Sequence, residues 1–428
     1  MFGELIKILF NLKSYVQEFF LIGLFLFALI EKGGLSKKKA KTIQVPVLLF
    51  FSYFIVVFCD VSMLTQVSVT FFSIFYVLSN VYFWKDSDFQ FEGTLWLALL
   101  WSLLFVSSSG SGLLQMIGLG IVILLLGLFS YFGSKGPINS AFTFNLFQFL
   151  LVAWGLGLLA HFLMPMVAWK LNAVDAAEGL ALMAIIGAYP FGRWIVDGYQ
   201  IFNVRFLICS YLFRTLVLVM LIKFLETLAL RVDLIAVGPA LALYSLLSGL
   251  IWSVLLIRQK SLSRMFGYFD LLEFSWIVAA LIFNVSKGSE IPINLFVLLA
   301  TSFLMRVTLL AYLRQRESPL KVSYLLGLSR SDRSAAAISS FFFLHLTGIP
   351  LTAGYVFHKE LIDIFVEQSN FVFGLVAVEF LVVAMVSINC LVLLFSMGKK
   401  RQKNDGARAY RYLAGLCSLA GLFSGLFL

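Results

Sequence analysis

The sequence predicts an all-α polytopic membrane protein of about fourteen transmembrane helices, with two inverted five-helix repeats and with helices seven and twelve broken. Three observations carry that prediction. The 428 residues are 61% hydrophobic and only 13% charged, with mean hydropathy +0.98, whereas soluble domains are about a quarter charged. The apolar runs reach the length of about 20 residues that a helix needs to cross a bilayer. Two of those runs are interrupted at matching places, by Gly187-Ala-Tyr-Pro190 and by Gly348-Ile-Pro350.

Taken in order, the expected helices cover 15–31, 44–60, 64–84, 92–108, 111–132, 139–164, 176–194, 202–226, 235–257, 266–286, 291–314, 334–362 (broken), 370–397 and 409–428. The first apolar run, near Tyr15–Ile30, reads as a spanning helix and not as a cleaved signal. Segments 1–90 and 398–428 flank two five-helix units, 91–234 and 235–397, and each break falls in the fourth helix of its unit. Paired broken helices at corresponding positions point to inverted repeats around a translocation site. The longest loop, about 315–333, leaves no room for a domain outside the membrane.

Loop charge checks the count. Lys32, Lys37, Lys38, Lys39 and Lys41 follow helix one, and Arg258, Lys260 and Arg264 follow helix nine. Arg314, Arg316, Lys321, Arg330 and Arg333 follow helix eleven, and Lys399, Lys400, Arg401, Lys403 and Arg408 follow helix thirteen. All four loops are odd-numbered and so lie on one face. By the positive-inside rule that face is cytoplasmic or its equivalent, with both termini opposite. The net charge of +10 therefore reports orientation, not a nucleic-acid partner. Cys59, Cys209, Cys390 and Cys417 are scattered in apolar runs without metal spacing and read as small buried hydrophobes.

Chemistry concentrates at the second break, where His358, Lys359 and Glu360 follow Gly348-Ile-Pro350. Proline removes a backbone donor, and a broken helix persists at membrane depth only where protein or water satisfies the freed groups. Ionisable residues at that depth are costly and mark function. His358 and Lys359 read either as a proton-relay pair or as caps at a helix end. His345 reads as a core histidine or a relay. Arg306 and Glu379 lie well inside apolar runs and form a candidate buried pair. His161 and Lys170 look like helix-end residues; Arg193, Trp194 and Asp197 suit packing and capping. No phosphate loop, dinucleotide fingerprint, metal cluster or nucleophile elbow is present in the sequence.

Three segments carry a resemblance. Pro190-Phe-Gly-Arg-Trp-Ile-Val-Asp-Gly-Tyr-Gln200, Ser261-Leu-Ser-Arg-Met-Phe-Gly-Tyr268 with the following 271–282, and Gly348-Ile-Pro-Leu-Thr-Ala-Gly-Tyr355 resemble, in order and spacing, segments of the antiporter-like membrane subunits of respiratory complex I. The N-type subunit, subunit 2 of mitochondria, is the most similar. The resemblance implies the fourteen-helix fold with two inverted repeats, and a mid-membrane line of Lys, Glu and His carrying protons. On this chain the helix-five glutamate position falls at Ile121 or Val122, the helix-seven lysine near Ile185, and the helix-eight lysine at Arg214, with Lys223 nine residues on. The helix-ten histidine falls at Glu273, and the helix-twelve lysine at His358 beside Lys359. Arginine does not release its proton in a protein, so Arg214 suits an ion pair more than carriage. Glu273 is either a relay carboxylate or the partner of a loop arginine.

The resemblance thus implies a divergent membrane-arm subunit of a proton-translocating NADH:quinone oxidoreductase, with no active site of its own. Its proton path would be altered and run through Glu273, His358 and Lys359. Flavin and iron–sulfur clusters would belong to partner subunits, and the chain itself would hold no cofactor or metal. Its partners would be the other membrane and peripheral subunits and lipid. The alternatives are a subunit of a multi-subunit cation/proton antiporter and a non-conducting scaffold. The 46 phenylalanines and the eroded carrier positions favour a mitochondrial inner membrane over a bacterial plasma membrane.

Overall fold

A computed structural model describes residues 44, 46–49, 53, 69–70, 73–74, 92–108, 112–133, 148–159, 171–201, 204–230, 234–288, 293–315, 319–350, 352–397 and 411–419. Predicted helix one and most of helices two and three lie outside the described residues. So do the lysine loop at 32–41, Cys59, His161, Lys170, Arg316 and the basic loop at 399–408. Every described element is helical, apart from an isolated antiparallel bridge between Ser261 and Lys321.

The described residues fall into two compact units, one within Met1–Ala168 and Ile208–Leu221, the other within Trp169–Leu207 and Ile222–Leu428. In the first, α1 (Glu92–Ser108) packs on α2 (Gly112–Gly133). Helix α3 (Gln148–Leu159) docks beside α2, and the Trp154 indole donates to the Met116 carbonyl at 2.7 Å. That ring fills the space over Gly120, where a Cβ would come within 2.7 Å of it.

The second unit holds α4 (Leu171–Ile186), α5 (Arg193–Ile201), α7 (Leu234–Ile257), α8 (Leu262–Ser286) and α9 (Ile293–Arg314). It continues through α10 (Leu328–Ser331), α11 (Arg333–Leu346), α12 (Ala353–Val366), α13 (Asn370–Phe395) and α14 (411–419). Helix α6 (Val204–Leu230) gives residues 208–221 to the first unit and its ends to the second. The axis of the second unit is α8, whose every residue from Met265 to Phe283 is buried. A helix that is apolar all round is a core helix, and α8 is flanked by α5, α7, α9 and α12. Helix α13 is buried only along Val372, Val376, Glu379, Val383, Ser387, Cys390 and Leu394. That three- and four-residue spacing is one helical face. The other side exposes Phe371, Leu381, Ile388, Val392 and Phe395, as a helix at the lipid boundary does. Five helices are long and apolar enough to cross a bilayer among the described residues, and the chain is a multi-pass membrane protein.

Side chains cap the helices where the chain enters them. Ser261 accepts from the Arg264 amide, Asp332 from Ala335, Thr352 from Tyr355 and Ser369 from Val372, at 3.1–3.4 Å. The Ser261 cap starts predicted helix ten at Leu262, four residues before the expected 266, because the cap and not the first apolar residue sets the start. The expected 315–333 loop is more ordered than its composition indicates. It contains a 3-10 turn (Val322–Leu325) and α10, and Leu262 N–H and Val322 N–H bond across to Leu320 and Lys260 at 3.0 and 2.9 Å.

Both breaks form where expected. The first runs from Gly187 (φ +119°) through a cis Tyr189–Pro190 bond to the start of α5. Gly187 N–H and Ala188 N–H both bond the Met183 carbonyl, and Tyr244 of α7 donates its hydroxyl to the Tyr189 carbonyl. The second runs from α11 to α12 through Gly348 (φ +67°) and Pro350. Gly348 N–H bonds the His345 carbonyl at 3.1 Å, and Gly354 N–H bonds His345 Nδ1 at 3.0 Å. Backbone groups freed at depth are thus satisfied by neighbouring protein.

At Gly354 a Cβ would collide with the His345 carbonyl oxygen, a backbone atom that cannot swing aside; at Gly374, on the exposed side of α13, a Cβ meets nothing within 4 Å. Gly354→Ala is therefore expected to destabilise the chain by about 1–3 kcal/mol. Gly374→Ala, gaining helix propensity, should be neutral or stabilising by up to about 1 kcal/mol. Thermal unfolding of the two variants in detergent measures the contrast.

Candidate functional site

On α8, Asp270 and Glu273 stand three residues apart and share a helix face. On α9, Ser302 and Arg306 stand four apart and face them. Arg306 Nη1 donates to Asp270 Oδ1 at 2.8 Å, and Nη2 donates to Glu273 Oε2 at 2.5 Å and to Ser302 Oγ at 3.2 Å. The Ser302 hydroxyl donates to Glu273 Oε1 at 2.6 Å. Relative exposures of Arg306, Asp270 and Glu273 are 0%, 1% and 3%. Glu273 lies about 17 and 20 Å along α8 from its two ends, at 1.5 Å per residue, which is the middle of a spanning helix.

Charge balance defines what this cluster can do. One guanidinium faces two carboxyls, so the cluster carries −1 with both ionised and is neutral with one protonated. Arg306 stays charged throughout. Serine 302 ties one Glu273 oxygen while Arg306 ties the other, which fixes that carboxyl in place.

A second group lies at the broken helix. His345 is buried, its Nδ1 accepting from Gly354 across the break, which places the proton of a neutral ring on Nε2. His358 and Arg306 both lie within electrostatic reach of it. The half-buried His358 ring sits edge-on to Trp276 (centroids 5.7 Å, 86°) and stacks on Phe380 (4.5 Å, 23°). Its Nδ1 occupies the space a Cβ on Gly348 would take. Trp276, one turn beyond Glu273 on α8, donates its indole N–H to Glu379 Oε2 at 2.5 Å.

The expected Arg306–Glu379 pair is not formed. Asp270 and Glu273 saturate the two terminal nitrogens of Arg306, and Glu379 is held by Trp276. Nor is Glu273 the partner of a loop arginine: α8 starts three turns earlier, and Arg264, expected in the loop, lies in the first turn of α8 and pairs with Asp197 of α5 at 2.8 Å, which Arg193 also approaches at 3.4 Å. Lys359 is exposed. Arg214 is buried in the first unit and Lys223 half-buried in the second. Asp270, Ser302 and Trp276 escaped the sequence reading. Two acids at i, i+3 in an apolar helix, followed by a Ser–Arg pair at i, i+4 in the next, were the available signal.

Removing Arg306 alone leaves two buried carboxyls without their cation, and removing one partner of such a cluster costs about 3–5 kcal/mol. Arg306→Met is expected to fall in that range, seen as lost folded yield and a lower unfolding temperature. Asp270→Leu with Glu273→Leu and Arg306→Met together should be milder than Arg306→Met alone.

No protein-family model and no curated protein matches the sequence. Solved structures do match over nearly the whole chain. A chain of respiratory complex I from Thermus thermophilus aligns with a TM-score of 0.73 at 16% identity, covering 97% of each chain. A chain of the Mrp complex from Dietzia sp. DQ12-45-1b aligns at 0.78 and 12% identity, covering 97% of this chain and 95% of that one. A chain of the membrane-bound sulfane sulfur reductase, an archaeal respiratory membrane complex, aligns at 0.77 and 13% identity with the same coverage. Likeness at such low identity establishes the fold: this chain is built like chains of these membrane complexes.

Proposed function

We propose that this chain is a membrane-arm subunit of a proton-translocating NADH:quinone oxidoreductase, in an energy-coupling membrane. In this proposal the Asp270–Arg306–Glu273 cluster is its proton-holding site. The observation that carries the reading is the charge count of that cluster, one cation and two carboxyls fully buried at the middle of α8. A structural ion pair needs one carboxylate. The second makes room for a proton to come and go without stripping Arg306 of a partner. When the proton sits on one carboxyl, the guanidinium bond to that carboxyl loses its charge-assisted character and the bond to the other strengthens. His345, pinned across the break, lies within electrostatic reach of Arg306.

The broken helices would supply the switch. Both abut α8: a Cβ on Gly187 or Gly192 would come within 2.8 Å of Leu271, and His358 lies on Trp276. A small shift at either break would thus be felt on the segment carrying the cluster. Redox chemistry would reside in partner subunits holding flavin and iron–sulfur clusters. The likeness to the Mrp complex, at a TM-score of 0.78, favours a second reading, in which the same site serves a multi-subunit cation/proton antiporter.

Native-gel separation of a mild-detergent extract, with an in-gel NADH dehydrogenase stain, separates the two readings. Co-migration with NADH oxidation supports the first; sodium-driven proton exchange without redox partners supports the second. In either complex Glu273→Gln should assemble and yet lower proton movement across reconstituted vesicles by about tenfold or more. Unchanged movement in Glu273→Gln would remove the Arg306 cluster from the proton path.

A further inference from the structure

Glu379 is fully buried on α13, about 14 Å from its start, and the cluster around Arg306 does not use it. Its surroundings are built for a carboxyl. Trp276 donates to Oε2 at 2.5 Å, while Oε1 is buried without a hydrogen-bond partner. A Cβ on Gly249 of α7 would collide with the carboxyl group, so the side chain fills a space that only glycine leaves open. Among the described residues no cation pairs with it. A buried carboxylate lacking a counter-ion is costly, and a buried polar atom without a partner calls for an explanation.

We propose that Glu379 is a second proton-holding site, facing the Arg306 cluster across Trp276. The indole is a donor only, so it cannot pass a proton on. It fixes one oxygen and leaves Oε1 as the atom that takes up and releases the proton. The same ring meets His358 edge-on at 5.7 Å and Phe380 at 4.6 Å. Movement of α12 at the Gly348 break would therefore turn Trp276 and change the hydrogen bond to Glu379. Trp276 is a positioning residue in this scheme, and Glu379 is the group that exchanges the proton.

The inference rests on the reading that this chain moves protons, and the test separates the two. The whole complex is reconstituted in vesicles, and its infrared spectrum is recorded for the carbonyl stretch of an un-ionised carboxylic acid. Glu379→Gln, whose amide oxygen still accepts from Trp276, is expected to remove one such band and to lower proton movement about tenfold or more. Glu379→Asp, which keeps an acid, should move the band and not abolish it, and Trp276→Phe should shift it by removing the donor. A band unchanged in Glu379→Gln and Glu379→Asp, or normal proton movement in Glu379→Gln, overturns the inference. Loss of movement in Glu379→Gln with normal movement in Glu273→Gln overturns the role of the Arg306 cluster and leaves Glu379 standing. If the wild-type complex moves no protons, the functional reading falls, and the band alone decides whether Glu379 holds one.

Discussion

The guanidinium of Arg306, wholly enclosed between Asp270 and Glu273, sets the terms for the second unit. A charge at that depth exists only with partners in good geometry, because removal from water costs several kcal/mol per ion before any attraction is counted. Meeting that demand fixes the rotation of α8 against α9. Asp270 and Glu273 must face Ser302 and Arg306, and a twist of one residue would turn a carboxyl into apolar packing. The polar face of α8 at this level is therefore already committed. The rest of α8 meets its neighbours largely through apolar or aromatic surface, Leu271 toward the first break and Trp276 toward the second. Its polar contacts are at Ser275, whose carbonyl accepts from Ser245 of α7 at 2.9 Å, at Trp276, which donates to Glu379 of α13, and at Arg264, which pairs with Asp197 of α5.

Close backbone approach is the second constraint, and it follows from the first. A central helix that carries ions must be wrapped tightly enough to exclude lipid, and tight wrapping at the breaks requires residues without a Cβ. Gly267 lets Val196 of α5 come within 2.7 Å of where its own Cβ would sit, and the Arg264–Asp197 bond clamps that short helix from outside. The α5 segment following the first break is thus tied to the first turns of the helix that bears the cluster.

Much of this was legible in the sequence, and the reasons are physical. Long apolar runs report spanning helices because lipid leaves the backbone no other way to satisfy itself, so limits such as 92–108, 235–257 and 370–397 agree closely with the helices observed. Gly187, Pro190, Gly348 and Pro350 announced both breaks because their backbone chemistry is local. Pairings were less legible. Arg306 and Glu379 were rightly singled out as buried charges, but sequence distance says nothing of which helix faces which, so each was assigned the other as partner. Asp270, four residues inside the expected start of helix ten at 266, was not singled out in the sequence. The Ser261 cap moves that start back, and Asp270 moves with it into the core.

The resemblance places the titratable lysines of complex I antiporter-like subunits near Ile185 and at Arg214 and His358 of this chain. Lysine switches charge by losing its own proton. Arginine does not, so a site built on Arg306 must switch by protonating an acid beside a permanent cation. Such a site needs more carboxyls than cations, and among the described residues Asp270 and Glu273 share one arginine while no cation pairs with Glu379. The excess is unexplained by stability, since each added buried carboxyl weakens the fold unless something neutral or cationic answers it. Under the proposed function it has a use. In that proposal protons themselves supply the missing positive charge, and Glu273, at the position where the resemblance implies a histidine, is the departure that contributes a carboxyl.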